Sequence, residues 1–244
     1  LLTGSYGARV GIYQSIPSGD SLNPDEYTIA EMLKTQGYVT CGVGKKHLGG
    51  MFTTGSSYGF DMWLDETHDA TRADSCATQA ITFINQHTAD PFFLYVAHTS
   101  PHVALLEGNY KNAIEAIDAS VGRILDAVDA AGIADNTCVV YYSDNGPWLD
   151  PCHDLSVDPC TPEYEGGDAG PLRGGKFQVY EGGHRVPCVM RWPGIIPAGT
   201  VCGEMATSMA SSLDGVPNWR IQRTVPPGPS LARKASQKPR CRCP

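Results

Sequence analysis

A chain of 244 residues, 41% hydrophobic and 18% charged, is long enough for one core of α/β size and too apolar for a disordered protein. Its net charge is −8, but seven of the 18 cations lie after Trp219, where no acid occurs, so the body before that point holds 11 cations against 26 acids. Such a body argues against a nucleic-acid surface, and no apolar run is long enough to span a membrane. An anionic ligand stays open, because lysines, histidines and a metal gathered in one cleft reverse the local field.

Leu1 to Gly11 reads as the end of a helix running into a glycine-punctuated turn. Asn23-Pro24-Asp25-Glu26 offers an N-cap, a proline for the first helical position and a glutamate for a capping box, so a helix is expected from there. Ile29, Met32 and Leu33 form its apolar face, and Gly37 stops it. It feeds a strand over 38–43. Beyond that strand Gly44, Lys45, Lys46 and His47 crowd one corner, where close backbone approach, two cations and an imidazole suit an anion. Solvated lysines at an ordinary strand end would carry the same letters. Tyr58 to Trp63 reads as an aromatic loop packing on the core, and 70–88 as a second helix. The strand 92–97, Phe-Phe-Leu-Tyr-Val-Ala, is continuously apolar, which predicts burial on both faces.

His98-Thr99-Ser100-Pro101-His102 follows that strand at its carboxyl end, where open α/β sheets place ligands. His102 is the candidate there, against the alternative of a surface or packing histidine. Asn109 to Gly132 is the longest helix, with Tyr110, Ala113, Ile117, Val121 and Val128 among its apolar face, and Asp118 and Arg123 read as structural charges. A strand over 137–142 delivers Ser143-Asp144-Asn145-Gly146. The carboxylate of Asp144 and the amide oxygen of Asn145 can turn to one hard divalent cation, while the same letters also make a common β-turn. After a polar loop over 147–169, Gly170 to Pro187 packs glycines around Arg173, Lys176, Glu181 and His184: an anion-binding loop or a flexible connector. Residues 212–244 are Arg/Pro/Ser-rich, cannot form a core helix and are expected to be disordered. Nine cysteines, an odd number, favour an oxidising compartment. Cys152 and Cys160 are the expected local disulfide, and Cys41, Cys138 and Cys188 are expected to be buried small hydrophobes.

Several of these stretches together resemble the sulfatase family. Gly37-Tyr-x-Thr-x-x-Val-Gly-Lys-Lys-His47 resembles its second signature, and Leu1 to Tyr6 resembles the Leu-Leu-Thr-Gly-Arg-Tyr segment, with Ser5 in place of arginine. Ser100-Pro101-His102-Val103 resembles its Pro-His-x-Pro segment without the second proline, and Ser143 to Gly146 matches Ser-Asp-Asn-Gly. Pro171 to Pro187 resembles Pro-Leu-Arg-Gly-x-Lys-x-x-x-Tyr-Glu-Gly-Gly-x-Arg-Val-Pro almost throughout and is the most specific match.

The resemblance implies an α/β fold of the alkaline phosphatase superfamily, a largely parallel sheet between helices, with residues 1–211 as part of the catalytic domain. It implies hydrolysis of small-molecule or carbohydrate sulfate esters, Lys45, His102 and Lys176 on the sulfate, His47 on the nucleophile's proton, and Asp144 and Asn145 on calcium. The family's nucleophile, a formylglycine made from cysteine, would fall upstream of Leu1, so the isolated chain is expected to be inactive. A secreted, lysosomal or periplasmic setting follows from the same likeness. The rival expectations are a phosphomonoester or phosphonate hydrolase of that superfamily and an inert fragment or pseudoenzyme.

Overall fold

The structure is a computed structural model that describes residues 2–12, 21–46, 48, 58–102, 106–149 and 166–201. His47, Cys152, Cys160 and the segment 212–244 lie outside the described residues. The elements run α1 (Ile29–Lys34), β1 (Val39–Gly44), β2 (Met62–Leu64), α2 (Arg72–Gln86), β3 (Phe92–Ala97), α3 (Tyr110–Ala130), β4 (Val139–Tyr142), α4 (Glu181–His184) and β5 (Cys188–Arg191).

The first helix begins later than its composition predicts. Asn23 is not its N-cap: the Asn23 side chain accepts the Asp25 amide at 3.1 Å, and its carbonyl accepts the Glu26 amide, closing a turn. Thr28 caps the helix instead. Its hydroxyl accepts the Glu31 amide at 3.2 Å, the Glu31 carboxylate returns to the Thr28 amide at 2.8 Å, and the same hydroxyl donates to the Tyr58 carbonyl at 2.9 Å. The cap therefore ties the helix start to the aromatic loop as well as closing it. Gly37, at φ +82°, turns the chain into β1 as expected.

Strand β1 is the centre of a parallel three-stranded sheet, order β2-β1-β3, in which Cys41 stands between Met62 and Leu94 and Gly44 opposite Ala97. Five of its six residues are buried. Both of its glycines are required by what lies against them. A Cβ on Gly42 would sit 2.2 Å from the Trp63 ring, and one on Gly44 would sit 2.3 Å from the Ala97 carbonyl oxygen. The Trp63 indole N–H in turn donates to the Gly44 carbonyl at 2.8 Å. Phe60, fully buried, meets Trp63 edge-on at 5.0 Å and stacks with Phe93 at 6.0 Å, so the aromatic loop does pack on the core. Burying that one ring contributes about 2–3 kcal/mol. Thr40 and Asp61 lock the loop to the strand through the Thr40 amide (2.9 Å) and hydroxyl (3.0 Å), and Lys34 pairs with Asp61 at 2.7 Å.

Helices α2 and α3 pack on each other. Ala113, Ile117, Ser120 and Val128 form the buried side of α3, and Arg123 reaches across to the Asp74 carboxylate and the Thr78 hydroxyl, so its role is a tie between elements. Two expectations need correction. Strand β3 is only half-buried along its whole length, because among the described residues it pairs with β1 alone and so presents a free edge. Strand β4 is not in the parallel sheet either: it pairs antiparallel with β5, and at opposite ends of that pair Cys188 is exposed and Cys138 half-buried, so of the three cysteines expected to be buried Cys41 alone is. Burial pushes the Cys41 thiol up to about 12.

Candidate functional site

Parallel pairing brings the carboxyl ends of β1 and β3 to one edge, where Lys45 and, after a short turn, His102 follow the strands. Lys45 leaves β1 with its amide bonded to the Ala97 carbonyl at 2.8 Å, which fixes its backbone to the last residue of β3. His102 closes a turn at the end of β3, its amide donating to the Thr99 carbonyl at 2.8 Å. Asp144 and Asn145 follow β4.

The glycine-rich loop is bound to that last corner by two backbone hydrogen bonds. The Lys176 amide donates to the Pro147 carbonyl at 2.7 Å, and the Gly146 amide to the Gly183 carbonyl at 3.0 Å. The approach is too close for side chains: a Cβ on Gly146 would fall 1.7 Å from the Gly182 carbonyl oxygen. The glycines at 146, 182 and 183 are therefore what lets the segment bearing Lys176 lie on the segment bearing Asp144. Lys176 places its ammonium 5.9 Å from the Trp148 ring centre and 5.3 Å from that of Phe177, a cation held against two aromatic faces. Arg173 is committed elsewhere, stacked 3.7 Å over Tyr180 and bonded to its hydroxyl at 2.7 Å.

Electrostatics report that three of these groups converge. Burial lowers the Lys45 ammonium below the ordinary lysine value and the nearby charge of Lys176 lowers it further, while Asp144 and Glu66 oppose the shift. Lys45, Lys176 and Asp144 thus share one field, two cations and a carboxylate at the strand ends. The charge of Asp144 also adds to the raised pKa of the Tyr95 and Tyr142 phenols, both pushed up chiefly by burial. A cavity of about 510 Å³ opens beside Lys45, lined by Lys46, Glu66, His68, Arg72 and Thr99 among others. Asp144, His102 and Lys176 are not in its wall.

A hard cation such as calcium takes six to eight oxygens. The Asn145 amide nitrogen is spent on the Gly146 carbonyl at 2.9 Å, which leaves its amide oxygen as the free end, and the exposed Asp144 makes no hydrogen bond or ion pair with any other described residue. These two oxygen donors fit part of such a site. No group of three or more acidic, histidine or cysteine side chains stands ready for a metal among the described residues, so they fit as part of a ligand set and not as the whole.

The sequence reading missed a buried layer beneath the turn of His102. Arg72 and Glu107 form an ion pair at 2.9 Å with both side chains at most 5% exposed, and Glu66 accepts the Thr99 amide at 3.3 Å. Burial would raise the Glu107 carboxyl, but hydrogen bonds from Arg72 and Ser100 hold it below the usual range. One signal was available: Arg72 is the first residue of α2, and a cation at the positive end of a helix calls for a partner. His98 is a packing histidine, its Nε2 2.8 Å from the Ser120 hydroxyl, and burial lowers its pKa.

Residues 1–219 match the family model described as Sulfatase. The chain is 31% identical over 267 residues to an arylsulfatase of Hemicentrotus pulcherrimus, covering 86% of this chain and 46% of that protein. It is 29% identical over 271 residues to the N-acetylgalactosamine-6-sulfatase of Canis lupus familiaris, covering 86% of this chain and 50% of that one. It spans about half the length of these curated relatives. Among solved structures, that of Ps i-CgsB in complex with k-i-k-neocarrahexaose superposes with a TM-score of 0.69 at 24% identity, over 81% of this chain and 55% of that one, a likeness of fold.

Proposed function

The chain belongs to the sulfatase family, and from that premise we propose that residues 1–211 form part of the catalytic domain of a sulfuric ester hydrolase. The observation that carries the reading is the backbone bonding of the Lys176 segment to the corner of Asp144, with Lys45 at the end of β1 within the field of both charges. The Lys176 charge disfavours that of Lys45, and an anion lying between the two ammonium groups relieves the repulsion, as a sulfate ester would. Lys45 is anchored through its backbone to β3 and Lys176 through its backbone to Pro147, so both donors are set before substrate arrives.

Lys45 and Lys176 bind the non-bridging oxygens and oppose the charge that grows on them. His102, at the end of β3, contacts the ester oxygens from the other strand end. The lowered pKa of Lys45 makes it a stronger acid than free lysine, so it or a histidine can return a proton to the departing alcohol. His47, three residues after Gly44, is assigned by its motif to the proton of the attacking hydroxyl. Asp144 and Asn145 would hold a divalent cation through two oxygens, calcium by the family resemblance, and a cation held there would supply charge stabilisation for the sulfate, with the nucleophile expected to be a formylglycine. The substrate is a small-molecule or carbohydrate sulfate ester, in keeping with the arylsulfatase and N-acetylgalactosamine-6-sulfatase names of its relatives. The setting proposed is secreted, lysosomal or periplasmic.

The test is turnover by the full-length protein from its source on aryl and sugar sulfates beside the matching phosphates. Sulfate release that falls at least about 10³-fold in Lys176→Ala/His102→Ala supports the reading. A preference for phosphate esters would move the protein to the phosphohydrolases of the same superfamily. Absence of any turnover would leave a pseudoenzyme.

A further inference from the structure

The turn that carries His102 is held by a buried charge cluster. Arg72 is 4% exposed. Its Nε donates to the Ser100 hydroxyl at 2.8 Å and to Glu107 Oε1 at 2.9 Å, and one terminal nitrogen donates to Glu107 Oε2 at 3.0 Å and to the carbonyl of His102 at 3.3 Å. The Ser100 hydroxyl donates in turn to the Glu107 carboxylate.

Stability alone does not account for this arrangement. Burying an ion pair costs desolvation that a packed apolar pair of the same volume avoids, and the first turn of a helix disfavours a cation. What the guanidinium supplies is direction. Its planar fork grips Glu107 with two bonds, shares the single Nε hydrogen of that grip with the Ser100 hydroxyl and turns the same terminal nitrogen to the carbonyl of His102, a fixed geometry that the point charge of a lysine cannot supply. The same side chain lines the cavity beside Lys45, so the clamp lies between the two strand ends that the proposed reaction uses.

We propose that Arg72, clamped by Glu107, is a positioning residue that sets His102 through the Ser100 hydroxyl and the His102 carbonyl. The proposal rests on His102 acting in ester hydrolysis. Glu107 fixes the guanidinium and Arg72 fixes the turn; neither touches the substrate in order to do so.

The test is a double-mutant cycle in the full-length enzyme on an aryl sulfate, with Arg72→Lys, His102→Ala and the two combined. Arg72→Lys lowers kcat about 10- to 100-fold with KM changed less than about 3-fold, the scale expected for a misplacement near 1 Å. In the His102→Ala background the same change costs less than about 3-fold. Ser100→Ala, which keeps the Arg72–Glu107 pair, gives a smaller loss with the same dependence on His102, and it carries the cycle if Arg72→Lys does not fold. Hydrogen exchange of the peptide over residues 98–102 quickens in either variant, while that of the second half of α2 does not. Additive losses in the cycle, or a folded Arg72→Lys enzyme with wild-type kcat and wild-type exchange at 98–102, overturn the proposal. A wild-type protein without sulfatase turnover would sink the functional reading instead, and unchanged exchange at 98–102 would then overturn the clamp separately.

Discussion

The seating of the glycine-rich loop on the Asp144 corner is tested by a single methyl group. In Gly146→Ala the new Cβ falls 1.7 Å from the Gly182 carbonyl oxygen, 2.8 Å from its carbon and 3.1 Å from Gly183 Cα, all backbone, where real Cβ atoms essentially never come within 3.0 Å. The two segments must part by about 1.3 Å, the difference between those distances, and no side chain can rotate away to absorb it. The Gly146 amide is bonded to the Gly183 carbonyl at 3.0 Å and the Lys176 amide to Pro147 at 2.7 Å, so the displacement is passed to Lys176 relative to Asp144. A misplacement near 1 Å costs about 10²-fold in rate, and overpacking of this kind costs about 1–3 kcal/mol in stability. The assay is kcat/KM on an aryl sulfate in the full-length enzyme beside a thermal melt. Gly122→Ala is the control: it lies on α3 with nothing within 4 Å of the added carbon and should be neutral or stabilising by up to about 1 kcal/mol. A Gly146→Ala enzyme with wild-type kcat/KM and melting temperature would refute the juxtaposition of the two loops.

Replacing Lys176 by alanine removes a charge that lowers Lys45, so the pH at which Lys45 is labelled by an amine reagent should move up in Lys176→Ala; a downward move or none would mean the two ammoniums are not neighbours. In the wild type, the native state binds fewer protons at Lys45 than the unfolded chain between its lowered pKa and about 10.4, so this group makes stability rise with pH across that window. Asp61 behaves in the opposite sense. Burial works against its ionisation, but hydrogen bonds from Lys34 and Thr40 hold its carboxyl below the usual range, so its contribution is complete above about pH 4 and is lost as pH falls through the native value. Asp61→Asn should therefore flatten the acid limb of the melting temperature below about pH 4, and an unchanged slope would count against the pairing. Thr28→Ala removes a cap and leaves the Tyr58 carbonyl without its donor, and should cost about 2 kcal/mol by denaturant unfolding; Thr28→Ser should recover most of it.

What the sequence made legible follows the range of the forces involved. Helix α3 and strand β1 are specified locally, by Asn109 and Gly132 at the two ends of one and by the glycines of the other, and they stand within a residue or two of the expected bounds. Helix α1 was placed too early because two capping signals, Asn23 with Pro24 and Thr28 with Glu31, compete over six residues. Only the second has a distant partner, the Tyr58 carbonyl, to decide the contest. The partial burial of β3 and the antiparallel pairing of β4 were not readable, because a continuous apolar strand reads the same at the centre of a sheet as at its edge.

The candidate site divides along the same line. Lys45, His102, Asp144 and Lys176 sit at strand ends and in a glycine-rich loop, where short motifs carry both the backbone geometry and the chemistry; the segments of Lys176 and Asp144 are bonded together, Lys45 lies within the field of both, and His102 stands in a turn after β3. Arg72 and Glu107 carry no motif of their own, and Ser100 stands in the segment of His102 with no sign in its letters of what it binds. They lie 28 and 35 residues apart in the chain and meet only because α2 and β3 are adjacent in the fold, with Arg72 buried to 4% exposure. Residues that would touch a substrate are thus found from local letters, whereas residues that hold those in place are found from packing. An arginine at the first position of an amphipathic helix is the point where the two kinds of reading meet. Its charge is wrong for the helix dipole, its burial is wrong for a solvated cation, and both objections are answered by one carboxylate 35 residues away that fixes the turn of His102.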